Sequence, residues 1–370
     1  MRQGWTYKKL NEVCDKGSSN IVINKLEDNN GEYPLFGASG LVKNVDFYHQ
    51  DKPYIGIVKD GAGVGRVNTY PAFSSLVGTM QYIFAKENCL LDYIKYFLIK
   101  LDLSHCVSGA TIPHIYFKDY GKERIPVPSL EVQQLIVAEL DKINELINLK
   151  KGQLSDCDNL AQSIFYEMFG DPIDNEKGWE VAPLSNNVQE MFLGPFGSAL
   201  KVDSYVNKEV SYCMVYEQKH AIQARLDLDN HYINEEKYNT LKRFEVKAGD
   251  FIMSCRGTIG KLYQLPSNAP KGIIHPSLMK IRIKTESYLP TYFQFMLTKI
   301  VANQTTNGNC VQMAITAKEL GKKDLPVPPL SIQEEFAKRI EAVEQQKTQI
   351  ITTIKDLETL LASRMQYWFD

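Results

Sequence analysis

The side chains best suited to chemistry in this 370-residue chain are polar groups on turn-rich stretches. In the first half they are Ser39, Lys43, Lys59, Arg66, Ser108, Thr111 and His114. In the second they are Ser198, Lys201, Lys219, Ser254, Arg256, Thr258, Lys261, His275, Asn309 and Gln312. Arginine and lysine suit guanine edges or phosphates, and asparagine and glutamine suit adenine. Taken one at a time, the same side chains read more readily as solvated loop groups, because loop position is a weak functional hint.

Catalytic chemistry finds no constellation. Gly61-x-Gly63-x-Gly65 has glycine spacing, but a dinucleotide fingerprint opens a helix at its third glycine. Here Arg66-Val67-Asn68-Thr69-Tyr70-Pro71 comes next, which is strand-like, so the glycines read as a tight turn beside Lys59 and Arg66. There is no phosphate-binding Gly-x-x-x-x-Gly-Lys-Ser/Thr, no His-Glu-x-x-His and no Asn/Asp-Pro-Pro-Tyr of an amino-methyltransferase. The six histidines are scattered, and the seven cysteines never form Cys-x-x-Cys, so neither a zinc site nor a disulfide frame is expected. That usage fits a reducing cytoplasm. The start Met1-Arg2-Gln3-Gly4-Trp5 lacks the apolar core of a signal peptide, and no apolar run is long enough to span a bilayer.

The elements that must position the loops show themselves as a repeat. Gly121-Lys-Glu-Arg-Ile-Pro-Val-Pro-Ser-Leu-Glu-Val-Gln-Gln134 is matched, 200 residues on, by Gly321-Lys-Lys-Asp-Leu-Pro-Val-Pro-Pro-Leu-Ser-Ile-Gln-Glu334. The match continues without a gap to Phe169 and Phe369. An internal repeat of this length governs every later assignment. Proline disfavours helix just before it, so Pro126 and Pro128 mark an extended exit, with Ser129 as N-cap of the next helix. Apolar residues then alternate steps of four and three. The first copy gives Ile136, Leu140, Ile143, Ile147, Leu154, Cys157, Ala161 and Ile164, with Lys150 as a polar interruption. The second gives Phe336, Ile340, Val343, Ile350, Ile354, Leu357 and Leu361. This is a heptad seam. Thirty-two residues at about 1.5 Å each make a rod of about 48 Å. A lone helix of that kind leaves its apolar stripe wet, so the two helices are expected to pack on each other, antiparallel.

Around the helices lie two similar β-rich stretches. Residues 1–128 and 171–330 read as globular domains, and 129–170 and 331–370 as spacer helices. Gly178-Trp179 echoes Gly4-Trp5, Gly249 to Lys261 echoes Pro53 to Arg66, and Tyr292 to Lys299 echoes Tyr93 to Lys100. The fold class is therefore α+β: two globular domains, β-rich with helices, separated by two long antiparallel coiled-coil-like helices with pseudo-twofold symmetry. The net charge of −2 does not by itself announce a polyanion binder. Its distribution is more informative. Residues 129–170 carry 3 basic against 7 acidic side chains and 331–370 carry 5 against 7, leaving +4 on the two domains. A basic face, if present, lies on them.

The doubled Pro-Val-Pro-x-Leu-x-x-Gln with its long helix resembles the DNA-specificity (S) subunits of Type I restriction-modification systems. Gly194-Pro-Phe-Gly-Ser-Ala-Leu-Lys201, Gly249-Asp-Phe-Ile-Met-Ser254, Arg256-Gly-Thr-Ile-Gly260 and Phe169-Gly-Asp171 carry the same likeness. The first half departs from it, with Lys59-Asp-Gly-Ala-Gly-Val-Gly65 where Ser-x-Gly-Thr-Ile-Gly is usual. The resemblance implies two target-recognition domains, each reading one half of a bipartite double-stranded DNA site. The paired helices would set the gap and dock two methyltransferase (M) subunits, and a restriction-translocase (R) subunit would join the complex. S-adenosylmethionine, ATP and magnesium would belong to those partners, with no cofactor, metal or catalytic residue in this chain. Two other readings stay open: an autonomous nuclease or methyltransferase, and a scaffold whose end domains bind protein.

Overall fold

The computed structural model describes residues 4–109, 111–307 and 315–370. The chain divides into two compact units, Met1–Gln153 with Ile350–Asp370, and Leu154–Gln349. Each long helix therefore gives one end to each unit. The helices run Leu130–Phe169 and Leu330–Phe369, 40 residues apiece, as the repeat requires.

Within each unit the two helix segments lie antiparallel. In the first, Glu139 accepts from Arg364 Nη2 at 3.1 Å and Lys151 reaches Glu358 at 3.1 Å. In the second, Asp158 meets Lys347 at 2.8 Å and Glu167 meets Arg339 at 3.7 Å. The numbering rises on one helix as it falls on the other. Ile136, Leu140, Ile143, Ile147, Cys157 and Ala161 are buried on the first helix, and Phe336, Ile340 and Val343 on the second. Leu154, Ile164, Ile350, Ile354, Leu357 and Leu361 are half-buried.

At its C-terminal end each helix leaves the heptad phase. Phe165 and Phe169 are buried on the first helix, and Met365 and Phe369 on the second. The cause is a change of neighbour: the last turns face a globular domain. Phe169 packs on Tyr292 at 4.5 Å and on Phe336 at 5.2 Å between ring centroids. Phe369 packs on Tyr93 at 5.0 Å and Phe97 at 5.8 Å. Trp5 stacks on Trp368 at 6.3 Å and 3°.

Pro126 and Pro326, which precede the two long helices, are strand residues. Arg124–Val127 pairs antiparallel with Thr6–Lys9, and Asp324–Pro326 with Val181–Pro183. Such short two-stranded ribbons tolerate proline, which cannot donate to a ladder.

Both domains share one scaffold. In the first, an antiparallel sheet runs Cys14–Ser18, Met80–Ala85, Tyr54–Val58, Val67–Tyr70. In the second the order is Val188–Leu193, Leu278–Ile283, Phe251–Ser254, Leu262–Gln264. Tyr54–Val58 and Phe251–Ser254 are buried throughout, which is why they read as continuous apolar runs. A second sheet pairs Gly40–Val45 with Tyr33–Gly37, and the latter in parallel with Ser75–Leu76. Its counterpart pairs His231–Ile233, Cys213–Tyr216 and, in parallel, Gly272–Ile274, then adds Glu245–Val246.

Candidate nucleic-acid interface

Strand registers gather the candidate loops at one end of each domain. In the first, Gly37 and Gly40 close the turn that carries exposed Ser39. Val58 pairs with Met80, so the Lys59–Arg66 loop leaves at the same end as the Gly78 turn, whose N–H donates to Ile21 O at 2.8 Å. The 108–114 loop is tied in by Gly61 N–H to Pro113 O at 2.9 Å and Ile115 N–H to Lys59 O at 2.9 Å. Arg66 Nη1 donates to Ala38 O at 2.8 Å and so staples the glycine loop to the Ser39 turn. Gly61, Gly63 and Gly65 have φ of +82°, +86° and +86°, a conformation that L side chains resist. Backbone shape therefore accounts for the glycine spacing.

Ser39, Lys59, Arg66, Ser108, Thr111 and His114 thus form one cluster. Lys59 is half-buried, 3.6 Å from Asp60. Ser108 and His114 exchange backbone hydrogen bonds of 2.9 and 2.8 Å. Lys43 is committed elsewhere, its Nζ donating to Leu26 O at 2.7 Å.

The second domain repeats the arrangement. Leu193 pairs with Met279 and Ser254 with Leu278, so the loops after Leu193 and Ser254, and the turn before Leu278, share an end. Gly194 lies against His275, whose carbonyl oxygen would clash with any added Cβ. Ser198, Lys201, Arg256, Thr258 and Lys261 are exposed there. Gln218 Nε2 donates to Arg256 O at 2.6 Å and fixes the Arg256 loop. Lys219 is held 2.8 Å from Glu217 and donates to Asp229 O. His275 is half-buried, bonded to Ser277 Oγ at 2.8 Å, and burial holds its imidazole below the ordinary 6.5.

One candidate is corrected. Ser254 is 0% exposed, and its hydroxyl donates to Thr258 O at 2.5 Å while accepting from Lys261 N–H at 2.9 Å. It shapes the loop and presents nothing to a ligand. Asn309 and Gln312 lie outside the described residues.

Two features escaped the sequence reading. Phe196 is 89% exposed, on a Gly-Pro-Phe-Gly turn beside His275; the motif was visible, the exposure was not. Tyr205 stacks on His231 at 4.4 Å, and His231 Nδ1 bonds Glu217 at 2.9 Å. No spacing rule links positions 205, 217 and 231.

Among the described residues, no three His, Cys, Asp or Glu side chains could hold a metal ion, and no helix is long and apolar enough to cross a membrane. The six described cysteines are free. Burial pushes the Cys14, Cys89 and Cys255 thiols up to about 12, far from a reactive thiolate.

Residues 2–157 and 207–359 each match the family model for the Type I restriction modification DNA specificity domain. The Type I restriction enzyme EcoDI specificity subunit of Escherichia coli is 23% identical over 91% of this chain and 80% of its own length. A putative type I restriction enzyme MjaX specificity subunit of Methanocaldococcus jannaschii is 25% identical over 64% of this chain, which spans 58% of that relative. In fold, the chain resembles the S subunit of a Type I restriction-modification system from M. genitalium, with TM-score 0.53, 14% identity, and 99% and 96% coverage. A chain from a structure of type I R-M complex assembly and conformational transition gives TM-score 0.62, 17% identity, and 100% and 98% coverage. With two copies of the domain across most of its length, the chain belongs to the Type I restriction-modification DNA-specificity family.

Proposed function

We propose that this chain reads a bipartite double-stranded DNA site and positions methyltransferase and restriction subunits on it. The observation that carries the reading is the repeat of one scaffold with unlike loops. Both domains gather their loops at the same end of the same sheets, while the loop side chains differ: Arg66 and His114 in one, Arg256, Lys261 and His275 in the other. Two readers with different half-sites require this. Residues 1–128 and 171–330 would be the recognition domains, and the helices of 129–170 and 331–370 the ruler between half-sites.

The helices also offer a docking face. Leu135, Leu146 and Leu149 are 70%, 38% and 57% exposed on the first helix, away from its buried seam. Single exposed leucines are ordinary, but three on one helix face mark a surface awaiting apolar cover. We assign it to a methyltransferase subunit, with two such subunits and a restriction-translocase in the full assembly, in the cytoplasm. S-adenosylmethionine, ATP and magnesium would reside on those partners, and this chain would only bind and position.

The test is selection from randomised duplex DNA by the chain together with its methyltransferase subunit. Two short blocks at a fixed gap are expected. No enriched sequence would refute the reading, and methyl transfer by the chain alone would replace it with an enzyme.

A further inference from the structure

The second domain contains a basic groove that no loop candidate touches. It has a volume of about 550 Å³ and is lined by Lys242, Arg243, Lys247, Lys280 and Arg282 with Glu190 and Glu245. Its floor is internally neutralised. Lys280 Nζ lies 2.5 Å from Glu190 and 3.4 Å from Asp250. Arg282 grips Asp250 through Nε at 2.6 Å and Nη2 at 2.8 Å, with Glu190 at 3.3 Å. Glu190 is thereby spent on the floor cations, and the hydrogen bond from Lys280 holds its carboxyl below the usual range.

The rim is different. Lys242, Arg243 and Lys247 are exposed and make no ion pair with a described residue. Glu245, the remaining carboxylate of the lining, offsets one of these charges, so five cations against Glu190, Glu245 and Asp250 leave the groove two net positive charges, which attract a polyanion. Their place in the fold says which one. Glu245 pairs with Ile273 and Val246 with Gly272, antiparallel, so the Lys242–Phe244 turn lies at the strand end from which His275 emerges. Phe192, also lining the groove, stands two residues before Gly194. One end of the groove therefore adjoins the loop cluster, and Lys247, which follows Val246, marks its far end. The matching sheet of the first domain has three strands among the described residues and lacks the Glu245–Val246 edge.

We propose that Lys242, Arg243 and Lys247 hold phosphates of the DNA strand flanking the second half-site. They position that domain on the duplex and carry no sequence information. The proposal rests on the DNA-reading function above. It predicts a polyelectrolyte signature, since each phosphate contact contributes about 0.9 to the slope of log affinity against log salt.

The experiment uses the complex of this chain with its methyltransferase subunits and two duplexes, one with the selected site and one scrambled. The Lys242→Ala/Arg243→Ala/Lys247→Ala variant should lower the salt slope by about two to three and weaken binding roughly 100-fold at 0.1 M salt, on both duplexes. The selected sequence should not change. The charge-keeping Lys242→Arg/Arg243→Lys/Lys247→Arg variant should retain the wild-type slope, which separates charge from misfolding. An unchanged slope in the alanine variant overturns the proposal. So does an altered second half-site, which would mean base readout, or lost methyltransferase assembly, which would mean an acidic protein partner. Wild-type complex with no preference between the duplexes would instead refute the DNA-reading function itself.

Discussion

Gln133 and Gln333, 200 residues apart, occupy the same socket. Gln133 Oε1 accepts from Leu90 N–H at 2.8 Å, and its Nε2 donates to Asn88 O at 3.2 Å and Pro128 O at 3.0 Å. Gln333 accepts from Leu289 N–H at 2.8 Å and donates to Ser287 O at 2.9 Å and Pro328 O at 2.8 Å. Both are 0% exposed. Each glutamine locks the first turn of a long helix to the turn that starts a domain helix, and so fixes how a domain meets the rod. Gln133→Leu would leave one N–H and two carbonyls without this partner; the bond to Pro128 O is fully buried, and an unpaired buried group costs about 1–3 kcal/mol. We expect a loss of about 3 kcal/mol in denaturant unfolding, with a similar loss for Gln333→Leu. A loss below about 0.5 kcal/mol in either would mean the socket is wet.

The far end of the chain should stabilise its beginning. Phe369 is 5% exposed among residues of the first unit, against Tyr93 and Phe97. Phe369→Ala should cost about 3–5 kcal/mol, the usual toll of a phenylalanine cavity. Limited proteolysis of that variant should open sites within residues 4–128 before sites within 171–330. Phe169→Ala, its counterpart against Tyr292, should reverse the order.

His275 gives a pH dependence whose sign is fixed. Burial holds its folded pKa below the ordinary 6.5, so the unfolded chain takes up the proton first. The stability contribution is complete above 6.5 and is lost as pH falls from 6.5 through the folded pKa. Thermal unfolding of the wild type from about pH 7.5 to about pH 5 should show that decline, and His275→Gln should flatten it. An equally steep decline in the variant would assign the effect to another group.

The leucine face of the first helix should matter to assembly and not to folding. Leu135→Glu with Leu149→Glu changes two exposed side chains, so stability should move by less than about 0.5 kcal/mol each. Co-purification with the methyltransferase should fall by at least about tenfold. Undiminished assembly would place the docking surface elsewhere.

The helices were legible because the repeat and the heptad period each specify them independently. Ile136 to Ile147 needed only their spacing to be recognised as buried. The heptad seam failed at Phe165 and Phe169 because their neighbours are domain aromatics, Tyr292 and Phe295, that periodicity along one helix cannot announce. The strands around Tyr54 and Phe251 were visible as apolar runs, whereas the partner of each strand was not. In the loops, Arg256 and Lys261 are exposed as their type suggests, but Ser254 is buried because its hydroxyl serves Thr258 and Lys261 of its own turn. A hydroxyl that organises a loop and one that meets a ligand look alike in sequence. The basic groove was hidden for a related reason: Lys242, Lys247 and Lys280 converge only when Glu245–Val246 joins the sheet edge.

The central claim is that the paired helices measure the distance between two half-sites. Inserting one heptad after Lys150, and the matching heptad after Ile350, adds about 10.5 Å to the rod at about 1.5 Å per residue. The measurement is sequencing of DNA methylated by the complex carrying that double insertion. The gap between blocks should lengthen by about three base pairs, at about 3.4 Å each, with both blocks unchanged. An unchanged gap, or an altered block, would contradict the ruler.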